Sequence, residues 1–407
     1  MFDWKVASRN LRTAIFNGRP PHVFLAKSVV NLSYIILWLL IVILINHIPR
    51  SHYIFTKFLL RLDSYLFDIQ NEAFGSISCL FCVLSGSWLI YVKGFTHSRR
   101  VEHVGAIELD ELPSSSSSSP SNPSSPLDKS SKLEKLETYF NNDKLIQHVN
   151  AKENYRPYKC WNLTAPILLA SSWLLINTLY AWKTSVNKPN NLVAWIFYVP
   201  LHISVPPLIA GWLYLFHTPG ALKLFTISLG LQNILVALTQ LALPGASPLF
   251  LQLYGETKDP DYDMLYTDGI TRQDMKFGST IYKAVYYVAP HKFATLPSVH
   301  ASMSSLVFFF VSYYGEWRSF KLLALVNLCG QWWSVLYLDH HWRLDILLGL
   351  AYSMGIWVFI RSWKYGIKTL DEKFIRLRLD SDFAKSSTMG MRLFKGTLLQ
   401  DFFDPLR

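Results

Sequence analysis

Long apolar runs constrain the fold of this sequence more than any other feature. A helix that crosses a membrane needs about 20 mostly apolar residues, and its backbone groups must find their hydrogen bonds inside the spanning segment. We interpret eight runs as transmembrane helices, at residues 28–48, 73–92, 161–182, 192–216, 221–243, 298–314, 320–338 and 344–360. Because two of these runs are short, six spans with two interfacial helices would also fit. The prediction is an all-α polytopic membrane bundle with six to eight transmembrane helices.

The composition agrees with a membrane protein. Of the 407 residues, 51% are hydrophobic and 16% are charged, whereas about a quarter of the residues of an average soluble domain are charged. A net charge of +11 would suggest nucleic acid binding in a soluble chain. In a membrane protein such an excess usually reports basic cytosolic loops, so we expect no nucleic acid partner.

The distribution of basic residues predicts the orientation in the membrane. With eight spans, the two termini and the connections after the second, fourth and sixth spans share one side, which holds most of the 39 Lys and Arg residues. The positive-inside rule places that side in the cytosol. The predicted organisation is a cytosolic leader at 1–27, a first transmembrane pair at 28–92, a cytosolic linker at 93–160, a membrane core at 161–361 and a cytosolic tail at 362–407.

Two connecting segments differ from the rest of the chain. Residues 111–126 are rich in Ser and Pro, cannot bury a core and are expected to be disordered. Residues 244–297 form a long loop that is rich in Tyr, Asp and Gly and lies on the lumenal side in the predicted orientation. Loops of this length inside a compact domain are usually functional.

Polar residues converge at the end of that loop. His300 follows the loop directly, at the start of the sixth span, and the seventh span returns the chain to the same face with DHHWRLD at residues 339–345. Counting spans therefore places His300 beside this stretch. Ionisable residues that meet at one membrane face indicate a functional site, although interfacial side chains that extend toward water are the plainer alternative.

Spacing within DHHWRLD distinguishes its two histidines if the stretch is helical, because residues four apart share a helix face. His341 then lies over Asp345, whereas His340 lies over the apolar Leu344. Asp339 and Arg343 also share a face, which suggests an ion pair. A carboxylate orients an imidazole and makes it more nucleophilic, so His341 is the predicted reactive residue.

Several residues nearby suit a phosphate group. Ser298 is placed to cap the sixth helix, and free amides at a helix start favour anions. In the loop, Arg272 offers the paired donors that bind phosphate oxygens, and Lys276 follows it. Carboxylates are few here, so a metal site is less expected.

These residues resemble a known family. The PSVH at 297–300, Ser334 and the H-x-x-x-D at 341–345 resemble the second and third motifs of the phosphatidic acid phosphatase type 2 superfamily. Within it, the fungal sphingolipid inositolphosphotransferases are more similar, through the stretches LGLQN, LPGASP, LYG, G-x-x-R-x-D at 269–274, QWWSVLYLDHHWRLD and GMRLFKGTLLQDFFDPL. The resemblance covers the chain from the third span onward.

The resemblance implies a fold, an activity and roles for residues. It implies transfer of inositol phosphate from phosphatidylinositol to a sphingolipid acceptor in the Golgi membrane, without a metal or cofactor, and with the possibility of a small regulatory membrane subunit. The implied catalytic residues are His300, His341 and Asp345. The candidate substrate-binding residues are Arg272, Asp274, Lys276, Ser298 and Ser334.

The acceptor stays open between two enzymes of this family. The LDHH spelling and the FFDPL tail favour transfer to mannosylated inositol phosphorylceramide, and YDM at 262–264 is more similar to enzymes that use ceramide. Departures from the superfamily are Val299 in place of a small residue, Val335 in place of an Arg, and the missing K…RP of the first motif, which leave the phosphate-binding cations open. A lipid phosphatase is a weaker alternative, because the Lys of the first motif and the Arg of the third motif are missing. A transporter or channel is also weaker, because the sequence shows no internal repeat and the charged cluster lies at a membrane face.

Overall fold

The computed structural model describes residues 4–17, 19–45, 54–67, 161–183, 188–261, 293–379, 385–397 and 399–405, and these residues form helices and connecting turns. The N-terminal helices are α1 (Trp4–Phe16), α2 (Pro21–Ile45) and α3 (Thr56–Phe67). The middle helices are α4 (Trp161–Ala181), α5 (Lys188–Ile196), α6 (His202–Phe216), α7 (Ala221–Ala242) and α8 (Pro248–Tyr254). The last helices are α9 (Val299–Tyr314), α10 (Arg318–Tyr337), α11 (Arg343–Ser362), α12 (Ile367–Leu379) and α13 (Met389–Leu393).

The all-α prediction is confirmed for the part of the chain that the structure describes. Each predicted span lies on a helix, apart from 73–92, which falls outside the described residues, as do the Ser/Pro-rich segment and most of the long loop. Four helical segments there are long and apolar enough to cross a membrane: Pro21–Leu44, Pro189–Phe216, Ala221–Ala242 and Arg343–Ser362. Two shorter apolar helices are Leu168–Ala181 and Val299–Tyr314. The number of spans stays a prediction.

Helices α9 and α11 form the centre of the bundle and pack closely on each other, with α10 and α7 beside them. Gly349 of α11 allows this approach, because a Cβ there would lie 2.8 Å from the Ser298 carbonyl oxygen and 3.0 Å from the Ala301 Cβ. Three serines of α9, at 302, 304 and 305, donate their hydroxyls to carbonyls of the preceding turn, as Ser305 does to the Ala301 carbonyl at 2.6 Å. Small residues of this kind let membrane helices pack tightly.

A π-turn at Phe197–Leu201 joins α5 to α6. Pro200 lies inside it, and because proline has no N–H it cannot continue the regular helical hydrogen bonds. The Gln331 side chain of α10 donates to the Phe197 carbonyl at 2.7 Å, which satisfies one group that the wider turn exposes. Such turns inside helices frequently lie at functional sites.

The three N-terminal helices pack on different parts of the bundle. Helix α2 packs on α7 and exposes a largely apolar surface, with Leu25, Val30 and Ile43 each more than half exposed, as expected of a surface that faces lipid. Helix α3 packs against α11. At the other end of the bundle α1 contacts α13, and Asn10 donates to the carbonyl of Leu393 at 3.3 Å.

Candidate active site

The stretch DHHWRLD is not one helix. Helix α10 ends at Tyr337 and α11 begins at Arg343, so residues 338–342 form the turn between them. Asp339 has a left-handed backbone with φ of 54°, a conformation that Asp and Asn adopt more readily than most residues. The helical premise of the spacing argument is therefore wrong for the first half of the stretch.

The contact between His341 and Asp345 is nevertheless present. His341 Nδ1 lies 3.0 Å from the Thr295 carbonyl oxygen and 3.3 Å from Asp345 Oδ2. A carbonyl only accepts, so Nδ1 carries the proton and Nε2 keeps its lone pair. Asp345 Oδ2 also accepts from the backbone N–H of Trp342 at 2.9 Å. Asp345, in the first turn of α11, therefore orients the His341 imidazole, although His341 itself lies in the turn before this helix.

The start of α9 is held against the start of α11. Ser298 is the N-cap of α9, as predicted, and its Oγ accepts from the Ala301 N–H at 3.3 Å. Its own backbone N–H donates to the Asp345 carbonyl at 3.0 Å. These bonds bring His300 and His341 together, with 6.0 Å between their ring centroids. A reacting group between the rings would need one attack distance, about 3–3.5 Å, and one hydrogen-bond distance, about 2.6–3.2 Å. The separation of the two rings is close to the sum of these distances.

The predicted ion pair between Asp339 and Arg343 is wrong. Asp63 of α3 accepts from Arg343 Nε at 2.9 Å and from the backbone N–H of Leu344 at 2.9 Å. Asp339 instead forms an ion pair with Lys183 and accepts from Gln252 Nε2 at 2.8 Å. Because 338–342 is a turn, the side chains of Asp339 and Arg343 project to different elements. Arg343 also stacks over the Tyr180 ring at 4.6 Å.

The described ends of the long loop form the wall behind His341. Gln240 of α7 donates to the carbonyls of Ala294 and Pro297, both at 3.0 Å, and so fixes the segment that contains Thr295. Trp342 Nε1 donates to the Ala246 carbonyl at 2.9 Å. The carbonyl that sets the His341 tautomer is therefore held by α7.

The remaining predicted residues do not all reach the imidazoles in this structure. Ser334 is buried in α10, and its hydroxyl donates to the Gln331 carbonyl at 2.8 Å. The Ser298 hydroxyl is engaged as a helix cap. Arg272, Asp274 and Lys276 lie outside the described residues, so their roles stay predictions. Within the described residues, no group of three His, Cys, Asp or Glu side chains could hold a metal ion.

Two further side chains that we did not predict lie against the His300 ring. Tyr198 of the π-turn and His202 of α6 each stack on its ring, with centroids 4.2 Å and 3.9 Å away. The Tyr198 hydroxyl lies 3.0 Å from His340 Nδ1. His340 therefore contacts Tyr198, and burial lowers the pKa of its ring to about 3, so it is neutral near pH 7. The signal for His202 was an ionisable residue inside an apolar span, which is a functional hypothesis by default.

The arrangement combines an imidazole with a free Nε2, an orienting carboxylate and a second imidazole across the site. Such a set can attack a phosphorus atom and exchange a proton with the leaving and entering oxygens.

The chain is similar to one protein family and to several named proteins. Residues 167–359 match the family model described as the PAP2 superfamily. The chain is similar to Inositolphosphotransferase 1 of Saccharomyces cerevisiae, with 25% identity over 361 residues, which cover 57% of this chain and 68% of that protein. It is also similar to Inositol phosphorylceramide synthase of Candida albicans, with 29% identity over 187 residues, 46% of this chain and 39% of that protein.

A bacterial protein is also similar to this chain. Phosphoinositol dihydroceramide synthase of Bacteroides thetaiotaomicron is 32% identical over 102 residues, 24% of this chain and 32% of that protein. The chain thus spans about two thirds of the first relative's length and less than half of the other two. No solved structure matches it.

Proposed function

We propose that this chain, which matches the PAP2 superfamily over residues 167–359 and is similar to inositolphosphotransferases of sphingolipid synthesis, transfers inositol phosphate from phosphatidylinositol to mannosylated inositol phosphorylceramide. The products are mannosyl-diinositol-phosphorylceramide and diacylglycerol. The observation that carries the proposal is the His341 tautomer. With Nδ1–H held by Thr295 O and Asp345 Oδ2, Nε2 is free to attack.

In the first half of the reaction, His341 Nε2 forms a bond to the phosphorus of phosphatidylinositol. The bond from phosphorus to the diacylglycerol oxygen breaks, and His300 gives that oxygen a proton. A phosphohistidine that carries inositol remains on His341. Asp345 stabilises the imidazole as it gains positive charge, and general acid help of this kind contributes about 10²–10⁴-fold to the rate.

In the second half, the acceptor hydroxyl attacks the phosphorus and gives its proton to His300, and the bond from phosphorus to His341 breaks. His300 therefore regains the proton that it gave to diacylglycerol. The cycle needs no net proton uptake or release, so one acid–base residue serves both halves. Arg272 is the proposed ligand of the phosphate oxygens, where charge shifts in the transition state.

The first test is transfer by the full-length protein in proteoliposomes that contain labelled phosphatidylinositol and one acceptor. We expect His300→Ala, His341→Ala and Asp345→Ala each to abolish transfer, and His340→Ala to retain much of it. Near-normal transfer by His341→Ala would show that the nucleophile is another residue. Release of inositol phosphate to water without any acceptor would mark a phosphatase.

The intermediate has its own test. Without an acceptor, ³²P-labelled phosphatidylinositol should leave a label on the protein that acid removes and alkali does not, as expected of a phosphohistidine. The label should be absent in His341→Ala. Acid-stable label, or label in that variant, would contradict the intermediate.

Ceramide is the second candidate acceptor, and the similarity to ceramide-using relatives favours it. Mannosylated inositol phosphorylceramide is supported by the resemblance of LDHH and of the C-terminal tail. Lipid mass spectrometry of cells without this protein separates the two. Loss of only the doubly inositol-phosphorylated sphingolipid supports the first acceptor, and loss of every inositol sphingolipid supports ceramide.

We further propose that the protein resides in the Golgi membrane with its termini in the cytosol and the imidazoles on the lumenal side. The basic termini support this orientation. A glycosylation acceptor inserted after Asp259 should be modified and one inserted after Lys385 should not. Modification after Lys385 but not after Asp259 would show that the protein has the opposite orientation in the membrane.

A further inference from the structure

We propose that Tyr198 and His202 are positioning residues of His300: their rings, presented by the π-turn and the first turn of α6, hold the His300 imidazole in its working orientation by stacking. The inference rests on the proposed function, in which His300 is the acid and base. It assigns a role to residues of the π-turn and of α6 that are not among the motif residues named above.

The first observation concerns the His300 nitrogen that faces the protein. Catalytic histidines are usually oriented by a hydrogen bond to the second ring nitrogen, as His341 is here. His300 Nδ1 is buried and has no hydrogen-bond partner among the described residues. The Tyr198 backbone interacts with the His300 ring, but Nδ1 lacks the direct hydrogen bond that His341 has, so further contacts are needed to fix the rotation of this ring.

Stacking supplies that interaction. The planes of Tyr198 and His202 are inclined to the His300 plane by only 25° and 29°, with centroid distances of 4.2 Å and 3.9 Å. Aromatic pairs in such geometry gain about 0.5–1.5 kcal/mol beyond the burial of their area. Rotation of the His300 ring about its side-chain bonds would break both contacts. The rings of Tyr198 and His202 therefore restrict the orientation of the His300 ring together.

The local sequence explains why both rings reach His300. Pro200 forces the wider π-turn, and Gln331 holds its Phe197 carbonyl. The Tyr198 hydroxyl is in turn fixed by His340 at 3.0 Å. His340 thus acts on His300 through Tyr198, and its own effect should be smaller than that of either stacking ring.

A small cavity lies beside His202. Its volume is about 10 Å³, and its lining combines apolar side chains such as Val205 and Met303 with Ser304, Asn327 and Gln331. Asn327 Oδ1 and Gln331 Oε1 are buried without a hydrogen-bond partner among the described residues, so these two oxygens and this volume suit one water molecule. His202 can place its polar edge toward the cavity and its face on His300. Because the reaction moves no net proton, His202 has no proton to carry away.

The test compares aromatic and aliphatic replacements in the full-length protein, with wild-type transfer established first. His202→Phe and Tyr198→Phe keep a ring and should stay within about threefold of the wild-type kcat. His202→Ala and Tyr198→Ala remove the ring and should lower kcat by about 10- to 100-fold. The apparent KM for phosphatidylinositol should change little, because these residues act through His300.

His217 provides the matched control. It is a buried histidine that follows the same helix at its far end, where it packs against Trp212 and Tyr314 at 4.4 Å and 5.0 Å between centroids. His217→Ala removes an equal amount of ring packing far from His300. Its kcat per folded molecule should match the wild type, even where its thermal unfolding midpoint in detergent falls.

The outcomes separate this inference from the proposed function. If wild-type protein shows no transfer to any inositol sphingolipid acceptor, the proposed function fails. If wild-type protein is active and both alanine variants keep normal kcat, the stacking role is wrong while the function stands. A Phe variant as impaired as its Ala counterpart would assign the polar group, not the ring, to the effect. If His202→Ala does not fold, the Tyr198 pair decides the question.

Discussion

Two of the buried carboxylates lie at opposite ends of the same helix bundle, and they are held in different ways. Asp371 of α12 is 5% exposed and receives hydroxyl donors on both oxygens, from Thr218 at 3.0 Å and Tyr313 at 2.7 Å. Asp345 of α11 is fully buried, and its Oδ2 binds the Trp342 N–H and His341 Nδ1. Its Oδ1 has no partner among the described residues.

The difference separates a structural acid from a candidate catalytic one. Hydroxyl donors that satisfy both oxygens fix the position of a carboxylate, and breaking them costs mainly stability. An imidazole partner instead couples the carboxylate to a group that can attack or take up charge. Burial alone therefore does not identify the functional acid. The nature of the donors does, and four substitutions test this comparison.

Asp345→Asn should have the largest effect on activity. The amide cannot stabilise positive charge on His341 and its N–H₂ group can favour the wrong tautomer, so we expect transfer to fall by about 10²–10⁴-fold. The measurement is the initial rate of diacylglycerol release per folded molecule. A loss of less than about tenfold, which is well below the range for acid–base and orienting groups, would show that the carboxylate does not orient the nucleophile.

Asp63→Asn should have the largest effect on stability near the site. It leaves Arg343 buried without its carboxylate, and breaking a buried ion pair costs about 3–5 kcal/mol. Thermal unfolding in detergent measures the change. The control is Asp259→Asn, which removes the exposed pair with Lys57 of the same helix and should cost less than about 1 kcal/mol. Equal effects of the two variants would contradict the anchoring role of Asp63.

Asp371→Asn tests the structural acid. Loss of the charge weakens the hydrogen bonds from Thr218 and Tyr313, so we expect a cost of about 1.5–3 kcal/mol in the free energy of unfolding. The rate of transfer per folded molecule should stay at the wild-type value. A fall in that rate comparable to that of Asp345→Asn would remove the distinction between the two ends.

Gly349→Ala should have the smallest effect. The new methyl group would press on the Ser298 carbonyl at 2.8 Å and force α9 and α11 apart, at a cost of about 1–3 kcal/mol. Gly355 of the same helix has open space around its Cβ position, so Gly355→Ala should be neutral or slightly stabilising. Identical unfolding midpoints for the two variants would show that the close approach at Gly349 is not required.

The sequence predicted more of the secondary structure than of the side-chain contacts. Apolar runs of helical length define spans because lipid offers the backbone no other partner, and the starts of α9 and α11 meet because the chain crosses and returns. The Arg343 partner was not predictable, because Asp63 lies 280 residues away in the sequence and on an element without a recognisable motif. The roles of Tyr198 and His202 were not predictable for a similar reason. A single histidine in an apolar run does not indicate which ring it will contact in the folded protein.

The sequence by itself predicted a helical membrane protein, a shared end of the bundle for His300 and the 339–345 stretch, and, through the resemblance, phosphoryl transfer as the chemistry. Periodicity, hydropathy and motif spacing are local properties, and they suffice for these predictions. Only the tertiary structure decided that 338–342 is a turn, that His341 is held through Thr295 and Asp345, and that Asp339 and Arg343 have other partners. Hydrogen bonds and ring stacks depend on distances of a few ångströms between segments far apart in sequence, which packing alone determines.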